Sequence, residues 1–252
     1  MNLTLENIAF GYGEKQLFTD ISATLTPGRI HSLAGPNGCG KSTLLKIMCN
    51  YLTPLTGSVK LGGKAISEYS SAERSRRIGV VWQSLNPGLD FSVQDMVQII
   101  ASARFPRLGA LSESDKQLIY KNLERFGLPD KHQQLFSTLS GGEKQQLMLA
   151  AAATLEPDVL LLDEPASALD PANRRLACEF LEEYACDHTV LAITHDLTLP
   201  CRSGGVLFLM DKAGNFHAGE AGKLLNSDLL SQVYNTPTAV ENSNGKIRVF
   251  FD

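Results

Sequence analysis

The residue types best suited to chemistry lie together in one glycine-rich stretch, residues 35–43. It matches the pattern G-x-x-x-x-G-K-[ST] at every fixed position, which chance gives in roughly 1 % of chains of this length. A glycine-rich turn before a helix leaves convergent backbone N–H groups at the positive end of the helix dipole. Lys41 adds a cation for phosphate, and Ser42 adds a hydroxyl suited to magnesium. The stretch predicts a nucleotide site, with a solvated glycine turn as the alternative. Its residues are Gly35, Pro36, Asn37, Gly38, Cys39, Gly40, Lys41, Ser42 and Thr43.

Two acidic side chains follow a short apolar run. Residues 159–162 are Val-Leu-Leu-Leu, and Asp163 and Glu164 come next. A run without alternation is typical of a strand buried on both faces of a parallel sheet, and such sheets place functional groups at the carboxyl ends of their strands. Neighbouring strand residues point to opposite faces, so we expect two roles. Asp163 suits a magnesium ligand, direct or through water, and Glu164 suits the group that polarises an attacking water.

Polar side chains also follow two further apolar runs. Gln83 ends the run that begins at Ile78, and His195 follows the run 189–193. Because parallel strands present their carboxyl ends at one edge, we expect His195 at the same edge as Glu164, and Gln83 within reach of a site at the edge of the sheet. For Gln83 the alternative is a glutamine that only begins a loop. Tyr12, between two glycines, offers a flat face for a base or is simply a turn aromatic.

A second helix start has the character of an anion site. Ser140, Gly141 and Gly142 lead into an alanine-rich helix over 143–155, where uncapped N–H groups and a hydroxyl are available. The alternative is an ordinary serine N-cap. Further along, residues 167–171 predict a turn and a helix start, and this turn contains Asp170.

The surrounding pattern predicts an α/β fold. Residues 3–34 alternate as antiparallel strands that lead to the glycine-rich stretch, and a helix follows over about 41–51. Between residues 92 and 157 the strand signal disappears and helical spacing replaces it, with serine caps at Ser92 and Ser114. We therefore expect a mostly parallel sheet with helices, an antiparallel β part and an inserted helical part.

Composition excludes several classes of protein. The chain has 252 residues, a net charge of −4 and interspersed charges, which gives no indication of nucleic-acid binding. No apolar run approaches the roughly 18 to 20 residues that span a bilayer, and residues 1–6 do not have a signal-peptide pattern. The five cysteines include no C-x-x-C pair, which favours a reducing compartment over a disulfide framework or a zinc site.

Taken in order, these motifs resemble the ATP-binding subunits of ABC transporters over nearly the whole chain. Residues 35–43 resemble the family's P-loop, Gln83 its Q-loop glutamine and residues 139–143 its signature. Residues 159–164 resemble Walker B with the glutamate that follows it. Residues 167–170 resemble the D-loop, His195 the switch histidine and Tyr12 the adenine-stacking aromatic. The resemblance implies one ABC ATPase domain over 1–252 with a P-loop NTPase core (1–82 and 157–252) and a helical signature subdomain (83–156).

The resemblance also implies cofactors and partners. It implies ATP and Mg²⁺, with Ser42, Gln83 and Asp163 serving the metal and His195 contacting the γ-phosphate. Two subunits would pair head to tail, so that Ser140, Gly141, Gly142 and Asp170 of one subunit close on the ATP of the other. The remaining partners would be an integral-membrane permease and, indirectly, a periplasmic substrate-binding protein. The chain would lie at the cytoplasmic face of the inner membrane.

Within the family, the single copy of each motif, residues 73–78 and the segment 229–234 look most similar to importers of iron-siderophore, haem or cobalamin complexes. The alternatives are an ATPase subunit of another importer class or of an exporter, and a soluble ABC ATPase without a transporter. One departure is visible, because Ala151 stands where many relatives have an arginine. It removes no catalytic group.

Overall fold

The computed structural model describes residues 1–83, 85, 87–105, 111–197, 204–243 and 246–251. The chain forms two compact units, which we call the first unit (residues 1–69 and 184–252) and the second unit (residues 70–183). The helical subdomain over 83–156 that the motifs imply stays a prediction.

The strands are, in chain order, β1 (Leu3–Tyr12), β2 (Lys15–Leu25), β3 (Ile30–Ala34), β4 (Thr56–Leu61), β5 (Lys64–Ala65), β6 (Ile78–Val81), β7 (Val159–Asp163), β8 (Thr189–Ile193), β9 (Val206–Met210), β10 (Phe216–Glu220), β11 (Thr238–Ser243) and β12 (Lys246–Phe251). The helices are α1 (Lys41–Met48), α2 (Ser71–Arg77), α3 (Val93–Ile100), α4 (Glu113–Arg125), α5 (Gly141–Leu155), α6 (Pro171–Ala185), α7 (Ala221–Leu224) and α8 (Ser227–Tyr234). Together they confirm the predicted α/β fold. No helix in the described part of the chain is long and apolar enough to cross a membrane.

The first unit contains an antiparallel sheet and a set of parallel strands. The antiparallel sheet has the order β2-β1-β4-β5. In the parallel set, β3 lies between β8 and β9, and all five residues of β3 and of β8 are buried. This burial explains why β8 is a nearly continuous apolar run, whereas β3 buries His31 and Ser32 together with its apolar residues. Since β3 and β8 run parallel, the segments that follow them leave the sheet at the same edge.

The second unit also contains parallel strands. Strands β6 and β7 pair in parallel, with Val81 opposite Leu162, so their carboxyl ends also lie side by side. Helices α3, α4 and α5 occupy the chain between these two strands, as the helical spacing predicts. Helix α5 packs against both α3 and α4, and its middle is buried among them.

The secondary structure differs from the sequence-based expectations at three places. The cap of α4 is Ser112 and not Ser114, because this start places Glu113 and Asp115 in the first turn, where carboxylates favour the helix dipole. Residues 71–77, for which the polar pattern predicted no element, form α2 behind a capping box of Ser70 and Glu73. In the tail, the pattern predicts strands over 206–210 and 246–251 around one helical stretch over 223–234. The structure has these strands as β9 and β12, adds β10 and β11, and divides the helical stretch into α7 and α8.

Candidate functional site

The glycine-rich stretch joins β3 to α1 in the first unit. Gly35 has φ +150°, and a Cβ there would stand 2.1 Å from the Met210 carbonyl oxygen, so only glycine fits. Gly40 has φ +108° and is the N-cap of α1. Among the residues that the structure describes, no side chain caps this helix, so its first N–H groups point into the turn without a side-chain acceptor. This is the backbone geometry that binds phosphate.

Lys41 is folded back over the same turn. Its Nζ donates to the carbonyl oxygens of Gly35 (2.8 Å) and Pro36 (3.0 Å), and the residue is only 7 % exposed. An ammonium group is held less firmly by two neutral carbonyl oxygens than by phosphate oxygens, because the phosphate adds the attraction between opposite charges to the hydrogen bond. The side chain is therefore positioned to exchange these carbonyls for phosphate oxygens.

The remaining residues of the loop differ in their exposure. Asn37 and Ser42 are exposed, whereas Cys39 is buried, and burial raises the pKa of its thiol.

The Tyr12 ring is 53 % exposed, packs edge-on against Phe10, and places its hydroxyl 3.5 Å from the Thr43 hydroxyl. An exposed ring beside the loop suits a base better than a core position would.

His195 lies at the edge of the sheet where the glycine-rich loop follows β3. It follows β8, and the backbone N–H of Thr194 donates to the Leu33 carbonyl oxygen at 3.1 Å. Because β3 and β8 are parallel neighbours, His195 and the glycine-rich loop leave the sheet at one edge, and the imidazole is exposed there. The first unit therefore brings together the loop, Tyr12 and His195.

The second unit brings together the acidic pair and the glutamine. Asp163 ends β7 and is buried, and Glu164 follows it. Gln83, two residues after β6, donates from Nε2 to Glu164 Oε2 at 2.8 Å. The Gln83 side chain therefore reaches Glu164 at the ends of β6 and β7, and the roles of both residues stay predictions. Asp163, Gln83 and Ser42 are all oxygen donors of the kind that Mg²⁺ prefers.

Glu164 has an unusual backbone. Its φ is +53°, in the left-handed region that a non-glycine residue adopts at a cost of roughly 1–2 kcal/mol. Its carbonyl oxygen accepts hydrogen bonds from Gln145 Nε2 (2.9 Å), Ser167 Oγ (3.1 Å) and Ser167 N (3.3 Å). The same Gln145 carboxamide donates to Ser167 Oγ and accepts from Ala168 N, each at 2.9 Å. The strained residue is thus held by neighbours on two segments.

The signature segment caps α5 with a complete capping box. Glu143 N donates to Ser140 Oγ (3.3 Å), and Ser140 N donates to Glu143 Oε2 (2.8 Å). Lys131 forms an ion pair with Glu143, and this pair together with the hydrogen bonds from Ser140 lowers the pKa of the carboxyl to about 2. In this structure Ser140 therefore acts as an ordinary N-cap, the alternative that the sequence left open. A Cβ on Gly142 would stand 3.1 Å from the Ala168 carbonyl oxygen, so the signature lies directly against the turn at 167–170.

Asp170 caps the next helix. Its Oδ1 accepts from Asn173 N and its Oδ2 from Asn173 Nδ2, both at 2.9 Å, and Pro171 is the first residue of α6. Gln146 in turn donates to Asn173 Oδ1 at 2.8 Å, which connects α5 to this cap.

Sequence reasoning missed the two glutamines that link α5 to the turn at 164–173. Gln145 is 7 % exposed and Gln146 is also buried, although a glutamine on a helix is usually on the surface. The available signal was their position beside the signature and within an otherwise apolar helix, where a polar side chain needs partners.

A comparison with protein families matches this chain to the family described as ABC transporter. The match covers residues 18–167, which is more than half of the chain and includes every motif from the glycine-rich loop to Ser167.

Individual relatives match over more of the chain. An iron(3+)-hydroxamate import ATP-binding protein of Bacillus subtilis (strain 168) is 30% identical over 238 residues, which cover 92% of this chain and 87% of that protein. A hemin import ATP-binding protein of Pseudomonas putida (strain KT2440) is 33% identical over 222 residues, which cover 86% and 85%. Among solved structures, a chain of a metal-chelate type ABC transporter in an inward-facing conformation is similar with a TM-score of 0.81 at 29% identity, over 99% of this chain and 96% of that one.

Proposed function

This chain belongs to the ABC transporter family, and we propose that it is the subunit that binds and hydrolyses ATP to energise import of a metal chelate through a separate membrane permease. The observation that carries the proposal is the start of α1, which combines a glycine N-cap, no side-chain cap within the described residues, and the buried Lys41 on the carbonyls of its own loop. These features together fit a nucleotide phosphate.

The first unit binds the nucleotide. The N–H groups of residues 35–43 and the ammonium group of Lys41 hold the phosphates, and Tyr12 stacks on the adenine. His195 contacts the γ-phosphate from the edge of β8. Ser42 contributes a hydroxyl ligand to Mg²⁺, which neutralises phosphate charge when it is bound.

The second unit supplies the groups for hydrolysis. Asp163 and Gln83 serve the metal, and Glu164 polarises the attacking water, a role that typically contributes a factor of 10²–10⁴ to the rate. The Gln83–Glu164 hydrogen bond supports this assignment, because it shows that the two side chains can reach the same point. Release of the Gln83–Glu164 hydrogen bond would free the carboxylate for water.

A second copy of the chain completes the site. Ser140, Gly141, Gly142 and Asp170 of one subunit close on the ATP that the other subunit holds, so the γ-phosphate keeps the dimer shut until hydrolysis releases it. The contact between Gly142 and the 167–170 turn supports this proposal, because it makes the signature and the D-loop one surface.

The permease docks on a groove of the second unit. This groove has a volume of about 540 Å³, and Leu89 at its border is 71 % exposed. An exposed leucine beside an open groove favours a short amphipathic helix as occupant. We propose that this helix inserts beside residues 83–91, of which 84 and 86 lie outside the described residues. The described residues that line the groove are Leu85, Pro87, Gly88, Leu89, Asp90, Phe136, Ser137 and Lys144.

The relatives support the substrate class. Two of them import iron(3+)-hydroxamate or hemin, and the solved structure described above is of the metal-chelate type. We propose that the cargo is an iron-siderophore, haem or cobalamin complex delivered by a periplasmic binding protein. The chain then works at the cytoplasmic face of the membrane that contains the permease.

The variant Glu164→Gln tests the catalytic assignment. We expect it to bind ATP with unchanged affinity, to hydrolyse it about 10²–10⁴ times more slowly, and to accumulate as an ATP-bound dimer in light scattering. Glu124→Gln on the exposed face of α4 is the matched control and keeps wild-type turnover. Wild-type turnover in Glu164→Gln would contradict the proposed role.

The substrate class is tested in the complex with its permease in liposomes. Binding protein loaded with a ferric hydroxamate, haem or cobalamin should stimulate the ATPase rate and drive uptake of that ligand. Stimulation by none of the three, with a different solute active, would refute the metal-chelate assignment and leave the ATPase assignment intact.

A further inference from the structure

The backbone of Glu164 needs an external restraint. A glutamate in the left-handed region lacks the local side-chain hydrogen bonds that make asparagine and aspartate tolerable there. Such conformations persist only where the surroundings over-determine them, and they concentrate at functional sites. The segment that follows, residues 165–168, is a turn with its own hydrogen bond from Ser167 N to the Glu164 carbonyl oxygen. The turn supplies one more hydrogen bond to this oxygen, from Ser167 Oγ at 3.1 Å, so both of these restraints come from a single exposed residue.

Gln145 supplies a stronger one from outside the turn. Its carboxamide uses both N–H donors and its oxygen, on Glu164 O, Ser167 Oγ and Ala168 N respectively, all at 2.9 Å. The pattern determines which end of the amide carries the nitrogen, because two acceptors face one end and a backbone N–H faces the other. The side chain is 7 % exposed, so water does not compete effectively for these bonds.

We propose that Gln145 is a positioning residue for the candidate catalytic base: its carboxamide holds the Glu164 backbone in the conformation from which the carboxylate meets Gln83. This inference rests on the proposed function, and adds to it a residue of α5 that touches neither the nucleotide nor the water. Gln83 restrains the carboxylate from one side, and Gln145 restrains the backbone from the other. Because α5 begins directly after Ser140, the same amide also connects the signature segment to the base.

The variant Gln145→Met tests the proposal, since methionine keeps the length of the side chain and removes its hydrogen bonds. We expect kcat for ATP hydrolysis to fall about 10- to 100-fold, because a misplacement of about 1 Å can cost 10²-fold. KM for ATP should change less than about threefold, because the phosphate loop is untouched.

The matched control lies on the same helix. Asn122 Nδ2 donates to Thr154 Oγ1 at 3.0 Å, and both residues are buried. Thr154→Val removes a buried hydrogen bond of α5 as Gln145→Met does, but nine residues further along and with no contact to Glu164 among the described residues. We expect Thr154→Val to lower stability and to leave kcat and KM at wild-type values.

A double variant separates positioning from a general structural effect. If Gln145 acts through Glu164, then Gln145→Met in the Glu164→Gln background lowers the residual rate less than twofold. Multiplicative losses would overturn the proposal, as would wild-type kcat in Gln145→Met.

A second variant decides the question if Gln145→Met does not fold. Ser167→Ala at an exposed position removes the hydroxyl that lies between Gln145 and the Glu164 carbonyl oxygen. Its kcat should fall about 3- to 10-fold at unchanged KM, and an unchanged kcat would also overturn the proposal.

Wild-type protein without ATPase activity, or Glu164→Gln with full activity, would refute the proposed function itself. Loss of turnover in Glu164→Gln with full turnover in Gln145→Met would refute only the positioning role.

Discussion

The helix starts at Lys41 and at Gly141 both have the composition of a phosphate site, but they are built in opposite ways. Helix α1 follows a glycine in the left-handed region and has no side-chain cap among the described residues. Helix α5 follows a serine whose Oγ and N–H are both engaged with Glu143. The first start therefore has its N–H groups available for phosphate, whereas at the second start the capping box already engages the Ser140 hydroxyl and the N–H groups of Ser140 and Glu143.

The two helix starts should bind phosphate in a fixed order. A phosphate at α5 must compete with the Ser140–Glu143 hydrogen bonds, which the Lys131–Glu143 ion pair reinforces. A phosphate at α1 displaces only the contacts of Lys41 with two neutral carbonyls. We therefore expect a single chain to bind ATP through α1, and α5 to engage only when a second subunit presents a nucleotide whose charge outweighs the internal bonds.

The variant Lys41→Ala should have the largest effect, which is on the affinity for ATP. Removal of the ammonium group deletes a charge-assisted contact with phosphate, and the affinity of the monomer for ATP should fall about 10²-fold or more. Isothermal titration with ATP and Mg²⁺ measures this loss. Lys131→Ala is the control, because it removes a lysine next to the other helix start, and its ATP affinity should stay within about twofold of wild type. Equal losses in both variants would break the distinction between the two helix starts.

How well the sequence predicts each region depends on how far apart in the chain the interacting residues are. The turn at residues 35–41 was predicted because glycine spacing and the following helix determine it within a few residues. The position of Gln83 at a strand end, within reach of a site at the edge of the sheet, was predicted, but its hydrogen bond to Glu164 was not. The role of Gln145 was not predicted, since its partners are mainly backbone atoms of a turn that lies 19 to 23 residues further along. No periodic pattern encodes such a contact.

The choice between Ser112 and Ser114 illustrates a second limit. Both serines precede a helical pattern and each has a side chain three residues later, Asp115 or Gln117, that can complete a capping box. The structure uses Ser112, because two carboxylates then lie in the first turn. The family assignment did not depend on this boundary, since it rested on motifs whose order and spacing act together, and the family match confirms it.

Acid should weaken the strand that carries the phosphate loop before it weakens the α5 cap. His31 in β3 is 1 % exposed, its Nε2 accepts from Thr26 N at 3.3 Å, and Nδ1 must then donate to the Val190 carbonyl oxygen at 3.2 Å. Burial lowers the pKa of His31 to about 4 from an ordinary value near 6.5. The unfolded chain therefore takes up the proton first, and the stability that this histidine contributes above pH 6.5 is lost as the pH falls towards 4.

The pH dependence separates the two regions. Between pH 7 and 4.5 the free energy of unfolding should fall by about 2 kcal/mol through His31 alone. Glu143, whose pKa is lowered to about 2 mainly by Lys131, contributes stability that is lost only as the pH falls below about 4.5. Urea unfolding of wild type and His31→Gln over this range measures the difference, because glutamine makes both hydrogen bonds without titrating. Parallel pH profiles for the two proteins would contradict the role of His31.

The smallest expected effect concerns Ser140, for which the chain provides its own control. Ser112 has the same capping box at α4, with Asp115 in the place of Glu143. Ser140→Ala and Ser112→Ala each remove an N-cap, and each should lower the free energy of unfolding by about 1 kcal/mol. Chemical denaturation measures both losses.

Turnover separates the two serines. If α5 closes on the nucleotide of a second subunit, Ser140→Ala also removes a hydroxyl donor to phosphate, and the ATPase rate should fall roughly tenfold, in line with the loss of a hydrogen bond to a charged group. Ser112→Ala should keep the wild-type rate, and ATP binding by the monomer should be the same in both variants. Equal rates in the two variants would mean that Ser140 is a cap and nothing more, so that closure of the dimer would have to depend on the N–H groups of Gly141 and Gly142.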